Sequence, residues 1–259
     1  MKLIQLTDLH IVPTGERLWG LNPSERLRAA VDDINSNHGD AELCVVTGDL
    51  VNNGQVAAYE ELHQALAPLK LPVHLLLGNH DNRDNFFNVF REAHRDGHGF
   101  VQRMLDTSAG VFLLLDTHEP GVAWGSYCEK RLAWLQNQLE LQRERPIYLF
   151  MHHPPFEIGI PSLDVMTMRD GAAFGELLRG HPNIRHLFFG HVHRPVAGSW
   201  LGIPISSFRS TNHQVPLDFK TIDHVPKNHD APAYAIIFIE TYQTIVHFHD
   251  FLNETKIVG

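Results

Sequence analysis

The chain has 259 residues, of which 43% are hydrophobic and 20% are charged, a balance that is ordinary for a globular protein and excludes wholesale disorder. Lysine and arginine together number 21 against 30 aspartates and glutamates, so the chain lacks the basic surplus expected of a protein that tracks duplex nucleic acid. The length suits one large α/β domain with a substantial core, and we expect residues 1–259 to form a single domain.

Two cysteines, Cys44 and Cys128, are too few for a disulfide framework and lack the spacing of a thiolate metal site. The amino terminus enters an apolar strand directly, without the charged and apolar regions of a secretory signal. No apolar run approaches the length of a membrane span. We therefore expect a cytoplasmic protein that has no membrane partner.

The first third of the chain alternates between apolar strands and amphipathic helices. Asn22 is a favourable helix N-cap, Pro23 suits the first helical position, and Glu25 completes a capping box. The order β-α-β-α-β predicts a parallel sheet with right-handed crossovers. The predicted strands are Lys2–Thr7, Cys44–Thr47 and Val73–Leu77, and the predicted helices are Asn22–Asn37 and Gln55–Ala67.

The remainder of the chain mixes helices with short strands that pair locally. The stretch Arg209–Pro232 holds three prolines and little periodicity, so we expect either a loop over the site or an arm exchanged between subunits. Turn residues at Thr107–Gly110 and Tyr242–Gln243 predict two antiparallel pairs. The predicted helices are Asn82–Arg91, Glu129–Arg143 and Asp170–Arg179, and Pro154–Met168 is a predicted loop. The predicted strands are Phe100–Leu105, Val111–Asp116, Ile147–Met151, His186–Phe189, Val196–Leu201, Ile203–Ser207, Ala233–Glu240 and Thr244–Phe251.

Five of the predicted strands end in aspartate, asparagine or histidine. Ligands of open α/β folds collect just beyond the carboxyl ends of parallel strands, so we expect these side chains to meet at one edge. Carboxylate, amide and imidazole groups gathered in one crevice indicate a metal site. The residues are Asp8, His10, Asp49, Asn79, His152, His191 and His193.

Oxygen and nitrogen ligands without a thiolate suit Mn²⁺, Fe²⁺/Fe³⁺ or Zn²⁺. These residues are too many for one tetrahedral ion, but two ions that share Asp49 would each have four protein ligands. A carboxylate has two oxygens and can bridge metal ions about 3.5–4 Å apart. The sequence therefore predicts a two-metal site in which the amide oxygen of Asn79 is a weak ligand.

Two metal ions lower the pKa of a water that bridges them toward about 7, which makes hydroxide available for in-line attack on phosphorus. They also stabilise the charge that develops on the phosphoryl oxygens. The leaving alkoxide needs a proton, and His80, beside Asn79, is the best-placed donor. We expect Asp81 to fix the orientation and tautomer of His80.

Five short motifs carry these residues in chain order. They are Asp8-x-His10, Gly48-Asp49, Gly78-Asn79-His80-Asp81, His152 and Gly190-His191-x-His193. Together they resemble the signature of the calcineurin-like binuclear metallophosphoesterases. The resemblance implies an α/β fold built as a four-layer αββα sandwich of two mixed β-sheets. It assigns one metal ion to Asp8, His10, Asp49 and His193, and the other to Asp49, Asn79, His152 and His191.

Within that family the chain is similar to the bacterial class III cyclic-nucleotide phosphodiesterases and the glycerophosphodiesterases. The similarity rests on Gly15–Gly20, Asp49–Asn52, Met151–Pro155 and His213–Pro216. It implies that His213 lines the substrate pocket. It also implies a homodimer or larger homo-oligomer, with the C-terminal hairpin and loop region (about 209–259) contributing to the pocket or to the contacts between subunits.

Other pocket residues are predicted from their positions. Trp19 lies in a loop that leaves the site edge, where it forms either a wall of the pocket or a packed anchor of the loop. Asn79 and His80 are expected to contact substrate beside the metal ions. His153 adjoins a ligand, and we expect it to hydrogen-bond behind the ligands rather than to coordinate a metal.

The predicted function is hydrolysis of small phosphodiesters by a metal-bridging hydroxide, with 3′,5′- or 2′,3′-cyclic nucleotides or glycerophosphodiesters as substrates. A phosphomonoesterase or nucleotide phosphatase would use the same site and stays open as an alternative. A non-catalytic scaffold on this fold is a third interpretation. It would be expected to lack some ligands, whereas none of the seven is missing.

Overall fold

The computed structural model describes residues 1–253, which form eleven strands and six helices. The strands are β1 (Lys2–Leu6), β2 (Cys44–Thr47), β3 (Val73–Leu76), β4 (Arg103–Thr107), β5 (Gly110–Leu114), β6 (Ile147–Met151), β7 (Ile184–Phe189), β8 (Val196–Trp200), β9 (Ile203–Ser207), β10 (Tyr234–Ile239) and β11 (Thr244–His249). The helices are α1 (Pro23–Asn37), α2 (Val56–Leu66), α3 (Arg83–Val89), α4 (Glu129–Leu141), α5 (Pro161–Asp164) and α6 (Gly171–Arg179).

The strands form two mixed sheets. The first has the order β11-β10-β1-β2-β3, in which β1, β2 and β3 are parallel and β10 runs antiparallel to β1. The second has the order β4-β5-β6-β7-β9-β8, with parallel pairing from β5 to β9 and antiparallel strands at both edges. Parallel neighbours need crossover connections. Strand β8 lies in the connection from β7 to β9, and helices α1, α2, α4 and α6 lie in the connections between the other parallel neighbours.

Successive side chains of a strand point to opposite faces, and both faces of these sheets are apolar. In β6, Phe150 faces the other sheet whereas Leu149 packs against the helices of its own side. The layers therefore run helix, sheet, sheet, helix, and the predicted αββα sandwich is confirmed. The cluster between the sheets includes Leu3, Val45, Leu76, Phe112, Phe150 and Phe188.

Helix α1 begins as its capping signals predict. The side chain of Asn22 accepts a hydrogen bond from the amide of Glu25 at 3.3 Å, and Pro23 occupies the first helical position. A buried stripe that includes Leu27 and Ile34 packs on the first sheet. The helix thus follows directly on the loop that leaves β1 at the site edge.

Strand β4 lies further along the chain than predicted. The predicted strand Phe100–Leu105 is wrong at its start, because two carboxylates take the backbone amides there. Asp96 accepts from the amide of Phe100 at 2.9 Å, and Asp116 accepts from the amide of Val101 at 2.8 Å. The observed strand extends to Thr107, which pairs with Gly110 across a two-residue turn.

Two connecting segments complete the picture. The predicted loop Pro154–Met168 contains the short helix α5, so the prediction of an entirely irregular segment is wrong there. Residues 209–232 contain no helix or strand and run beside the site edge. Gln214 and Asn228 exchange backbone hydrogen bonds at 3.0 and 2.9 Å, which pairs the two ends of this segment. No helix within residues 1–253 combines the length and the apolarity that crossing a bilayer requires.

Candidate metal centre

The chain turns sharply where the strands end. Asp8, His10, Asp49, His191 and His193 all have positive φ angles, between 47° and 70°. Residues other than glycine rarely adopt this left-handed region, which costs of the order of 1–3 kcal/mol per residue. Such strain persists only where the surrounding structure fixes it, and it marks this edge as a functional site.

The first group of candidate ligands comprises four buried side chains whose ligand atoms lie within 4.8 Å of one another: Asp8, His10, Asp49 and His193. The Nε2 atoms of His10 and His193 are 3.1 Å apart. His193 Nε2 lies 3.4 Å from Asp8 Oδ1, and His10 Nε2 lies 3.5 Å from Asp49 Oδ2. These four atoms converge on one point, as the ligands of a single ion would.

The second group lies on the other side of Asp49. The Oδ1 atom of Asn79 is 3.0 Å from His191 Nδ1 and 3.3 Å from His152 Nε2. His152 Nε2 is also 3.4 Å from Asp49 Oδ1. Asp49 therefore presents one carboxylate oxygen to each group.

The tautomers of three histidines fit metal coordination. His10, His152 and His193 each direct Nδ1 at an oxygen acceptor, so Nδ1–H donates there and the Nε2 lone pair is left facing the carboxylates. A lone pair that faces a carboxylate is unfavourable unless a cation lies between them. His10 donates to Asn52 Oδ1 at 3.3 Å, His152 to the Thr47 carbonyl at 2.7 Å, and His193 to the His213 carbonyl at 2.8 Å.

The electrostatics of the site favour positive charge. Burial opposes ionisation of Asp49, yet His152 and His80 hold the pKa of its carboxyl well below its usual value. Burial likewise disfavours charged His152, but Asp49 raises the pKa of that imidazole to about 9. Burial and the charge of His152 lower the pKa of His191 to about 3, which keeps it a neutral ligand. A proton on His152 therefore supplies positive charge to the metal-free site, and a metal ion that displaces this proton would find two buried carboxylates and imidazole nitrogens, an appropriate ligand set for divalent cations.

Glycines let the strand ends approach each other. A Cβ atom on Gly78 would lie 2.3 Å from Asp49 Oδ1 and 2.6 Å from His152 Nε2. One on Gly190 would lie 2.2 Å from Thr7 Oγ1. The glycines of the third and fifth motifs stand immediately before the candidate ligands Asn79 and His191. They are therefore needed because no side chain fits at these positions.

His80 stands at the open side of the two groups. Its side chain is exposed and its Nδ1 lies 2.7 Å from the carbonyl oxygen of Asn52. Its backbone amide donates to Asp49 Oδ1 at 2.9 Å, and its ring packs edge-on against His10. The carbonyl of Asn52 thus fixes the tautomer of His80.

Asp81 does not have the predicted role of orienting His80. Its carboxylate is buried and accepts four hydrogen bonds at 2.8–3.2 Å, all from other groups. These bonds join the loops that follow β2 and β3, so Asp81 positions the loops and not the imidazole. The donors are the amides of Leu50, Val51 and Gly78 and the hydroxyl of Tyr59.

Three further predicted residues lie around the site. The buried ring of His213 is 4.6 Å from that of His193, and one of its ring nitrogens lies within 4.8 Å of ligand nitrogens of His10 and His193. Trp19 is 55% exposed and its indole lies 6.4 Å from His213. His153 is buried between His152 and the hydroxyl of Thr117, which lies 2.8 Å from its Nδ1. The roles assigned to these side chains stay predictions.

Asn52, Thr47 and Thr117 hold histidines of the site, and we did not predict these roles. For Asn52 and Thr47 the acceptor that matters most is a backbone carbonyl, which carries no sequence signal. Thr117 does follow an apolar strand, β5, and that position was the available signal.

A family model described as calcineurin-like phosphoesterase matches residues 1–195. The chain is 40% identical to a probable cyclic nucleotide phosphodiesterase of Rhodopseudomonas palustris, covering 98% of this chain and 94% of that protein. It is 29% identical to the probable glycerophosphodiester phosphodiesterase GpdQ of Arcobacter nitrofigilis, over 85% of this chain and 82% of the relative. A solved structure of a dimetal phosphatase from Danio rerio has a similar fold, with a TM-score of 0.73 and 14% identity over 97% of this chain and 96% of that one.

The matched range ends at Pro195 and so contains all seven candidate ligands. Sequence similarity to the first relative extends over nearly the whole of both chains, and the structural similarity independently supports the fold. The chain belongs to the calcineurin-like phosphoesterase family.

Proposed function

We propose that the chain is a two-metal phosphodiesterase that hydrolyses small phosphodiesters. The observation that carries this proposal is the position of Asp49, whose Oδ2 lies 3.5 Å from His10 Nε2 while its Oδ1 lies 3.4 Å from His152 Nε2. One carboxylate that faces two ligand groups is what a pair of neighbouring ions requires, and such pairs are used in phosphoryl transfer.

Two groups of side chains would hold the ions. Their nitrogen and oxygen donors suit Mn²⁺, iron or Zn²⁺, with metal availability as important as ligand type. When bound, the ions supply Lewis-acid charge that polarises the phosphoryl group and strengthens water as a nucleophile. The proposed sets are Asp8, His10, Asp49 and His193 for one ion, and Asp49, Asn79, His152 and His191 for the other.

His80 is the proposed general acid. Its Nδ1–H donates to the carbonyl of Asn52, so the proton that a leaving alkoxide would take is the one at Nε2. The side chain is exposed at the open side of the ligand groups, where a substrate can reach it. The Asn52 carbonyl would also stabilise the protonated imidazole through the same hydrogen bond.

The proposed substrate is a small molecule. The two relatives described above are named for cyclic nucleotides and for glycerophosphodiesters, which are both small diesters. The acidic balance of the chain disfavours a duplex nucleic acid, because phosphate neutralisation supplies most of the affinity for a duplex. His213 and Trp19 are the proposed walls of the pocket on the side of the first ligand group.

The test is side-by-side hydrolysis of 3′,5′-cyclic AMP, 2′,3′-cyclic AMP, glycerophosphoethanolamine and the monoester 5′-AMP by Mn²⁺-reconstituted protein. We expect at least one diester to be hydrolysed with a kcat/KM well above that of the monoester. A monoester preferred over every diester would identify a phosphatase instead. Full metal occupancy without hydrolysis of any of the four would contradict an enzymatic role.

We further propose one domain, a cytoplasmic location and a homo-oligomeric assembly. A shared core cluster between the sheets supports the single domain, and two free thiols suit a reducing compartment. Leu217, Phe219 and Ile222 are exposed on the segment 209–232, which supports a contact between subunits. Sedimentation analysis tests the assembly, and a protein that stays monomeric at all concentrations would contradict it.

A further inference from the structure

Two loops that are distant in sequence meet beside the metal centre. Trp19 comes from the loop after β1, and Lys227 comes from the segment between β9 and β10. The Nζ atom of Lys227 lies 4.9 Å from the centre of the Trp19 ring, within the range of a cation–π interaction. The same indole packs edge-on against His213, whose ring is 5.0 Å from that of the candidate ligand His10. The pair therefore stands one side chain away from the metal ligands.

The Trp19 side chain is held at this position although most of it is open to solvent. Its φ angle is +53°, a strained value for a large residue, and 55% of its surface is exposed. Leu18 and Leu21 hydrogen-bond to each other's backbone at 2.9 Å on either side of it, and Arg17 Nη1 donates to the carbonyl of Gly20. A bulky apolar ring presented on a strained, braced turn indicates a contact surface rather than a core anchor.

Lys227 is also held in place, and its charge is not neutralised. The neighbouring Asn228 pairs with Gln214 through two backbone hydrogen bonds, which fixes the chain here. The Nζ atom of Lys227 donates to the carbonyl of Val225 at 3.2 Å, and within residues 1–253 it has no carboxylate partner at ion-pair distance. The ammonium thus has an unpaired charge and two donor hydrogens for another group.

We propose that Trp19 and Lys227 form a subsite for the leaving group of the substrate, which accepts a nucleobase and rejects a cationic head group. The proposal rests on the phosphodiesterase function above and names its substrate as a nucleotide diester. A nucleobase offers a flat ring that stacks on the exposed part of the indole that Lys227 does not cover, and ring nitrogen or carbonyl acceptors for the neighbouring ammonium.

The position of Lys227 decides between the two classes of diester. A tryptophan face without a charged neighbour would suit the ammonium of a choline or ethanolamine head group through a cation–π interaction. Here the ammonium of Lys227 already lies over that face, and a second cation beside it would be repelled. The glycerol part of a glycerophosphodiester has no ring that could stack on the indole. The subsite therefore favours cyclic nucleotides over cationic glycerophosphodiesters.

The first experiment compares variants on two diesters. The Mn²⁺-reconstituted full chain is assayed with 3′,5′-cyclic AMP and glycerophosphoethanolamine, and its metal content is measured by mass spectrometry to check that the metal centre is intact. Lys227→Gln removes the charge, and Lys220→Gln is the matched control because it is an exposed lysine on the same segment. Trp19→Ala removes the ring, and Trp19→Phe tests rescue by another aromatic.

For Trp19→Ala we expect KM for cyclic AMP to rise about tenfold with kcat changed less than about twofold, as loss of one stacking contact predicts. In Trp19→Phe, KM for cyclic AMP should return most of the way to the wild-type value. Lys227→Gln should lower the ratio of kcat/KM for cyclic AMP to that for glycerophosphoethanolamine by about tenfold, and Lys220→Gln should not change it. The Mn²⁺ content of each subsite variant should equal that of the wild type, so that a change in KM reports the subsite and not the metal centre.

Binding is measured independently of turnover by tryptophan fluorescence with a phosphorothioate analogue of cyclic AMP. Quenching should be present in the wild type and absent from Trp19→Phe. Equal proportional losses on both natural diesters, or a wild-type preference for glycerophosphoethanolamine, would overturn the subsite and leave the phosphodiesterase function intact. If the wild type hydrolyses no diester, that function fails, and the fluorescence titration still decides whether Trp19 contacts a nucleotide.

Discussion

The imidazole of His80 is oriented by the backbone carbonyl of Asn52, which lies 2.7 Å from its Nδ1. The two residues belong to the loops that follow β3 and β2, so the contact joins two strand ends. A backbone acceptor cannot be removed by substituting Asn52, which makes the orientation of His80 insensitive to side-chain changes there. It leaves Nε2 as the ring nitrogen available to a substrate, and this assignment underlies the first prediction.

Replacing His80 with alanine should slow diesters with poor leaving groups by about 10²–10⁴-fold in kcat, the usual contribution of a general acid. Nitrophenolate leaves without help, so bis(4-nitrophenyl) phosphate should lose far less. Steady-state kinetics on both substrates measure the difference, with His98→Ala as a control at an exposed histidine. An equal loss on both substrates would argue against proton donation by His80.

Replacing Asp49 with alanine should reduce turnover to background and empty at least one metal position. Among the described residues, only the Asp49 carboxylate faces both ligand sets. Neither set therefore stays complete without it. Metal content by mass spectrometry and activity are measured on the same sample, with exposed Asp32→Ala as control. Two bound metals with retained activity would be inconsistent with a bridging role.

Gly78→Ala should weaken metal binding without unfolding the chain. The added Cβ would lie 2.3 Å from Asp49 Oδ1 and 2.5 Å from its amide nitrogen, so the bridging carboxylate must move. Gly180→Ala is the matched control, because nothing lies within 4 Å of a Cβ there. We expect the Mn²⁺-dependent rise in melting temperature to be lost in the first variant and kept in the second. A normal rise in Gly78→Ala would contradict the close approach described here.

Asp81→Asn should lower stability more than it changes the chemistry. The buried carboxylate accepts four hydrogen bonds, and an amide in its place presents donors to some of them, at a cost of about 1–3 kcal/mol. Tyr59→Phe removes one of the four and also the bond that the Asn82 amide donates to the hydroxyl at 2.8 Å, so it should cost about 1–3 kcal/mol. Urea unfolding measures both. If Asp81 acted through His80 instead, the leaving-group dependence of Asp81→Asn would match that of His80→Ala.

The sequence was sufficient to predict features that repeat along the chain. Apolar strands that end in Asp8, Asp49 or His152 could be recognised one at a time, and the parallel-sheet rule then placed their ends at one edge. The helix signals at Asn22 were local as well, and α1 begins one residue after them. Local patterns therefore accounted for the parallel sheet and for the set of candidate ligands, whereas the two-sheet sandwich followed from the resemblance to the metallophosphoesterases.

Features that depend on contacts between distant segments could not be predicted in this way. The partner of His80 is a carbonyl 28 positions away, and Asp81 is used by donors from another loop. The start of β4 was misplaced because Asp96 and Asp116 compete for its amides through side-chain hydrogen bonds. Lys227 lies in a segment without periodicity, and only the fold brings it to Trp19.

His186 should make stability depend on pH apart from the metal centre. It lies in β7, its Nε2 is 2.9 Å from Ser206 Oγ, and burial lowers its pKa from 6.5 to about 4. Between these two pKa values the unfolded chain binds a proton that the folded chain does not. The contribution of His186 to stability is therefore fully present above pH 6.5 and is lost as the pH falls toward 4.

We expect His186→Gln to remove this contribution, which is on the order of 2 kcal/mol between pH 7 and pH 4.5. Other buried histidines titrate over the same range, so the readout is the difference between variant and wild type, not the slope of either. Urea unfolding of the metal-free protein in steps of pH measures it, with exposed His98→Gln as control. Parallel stability curves for wild type and His186→Gln would show that His186 protonates equally in both states.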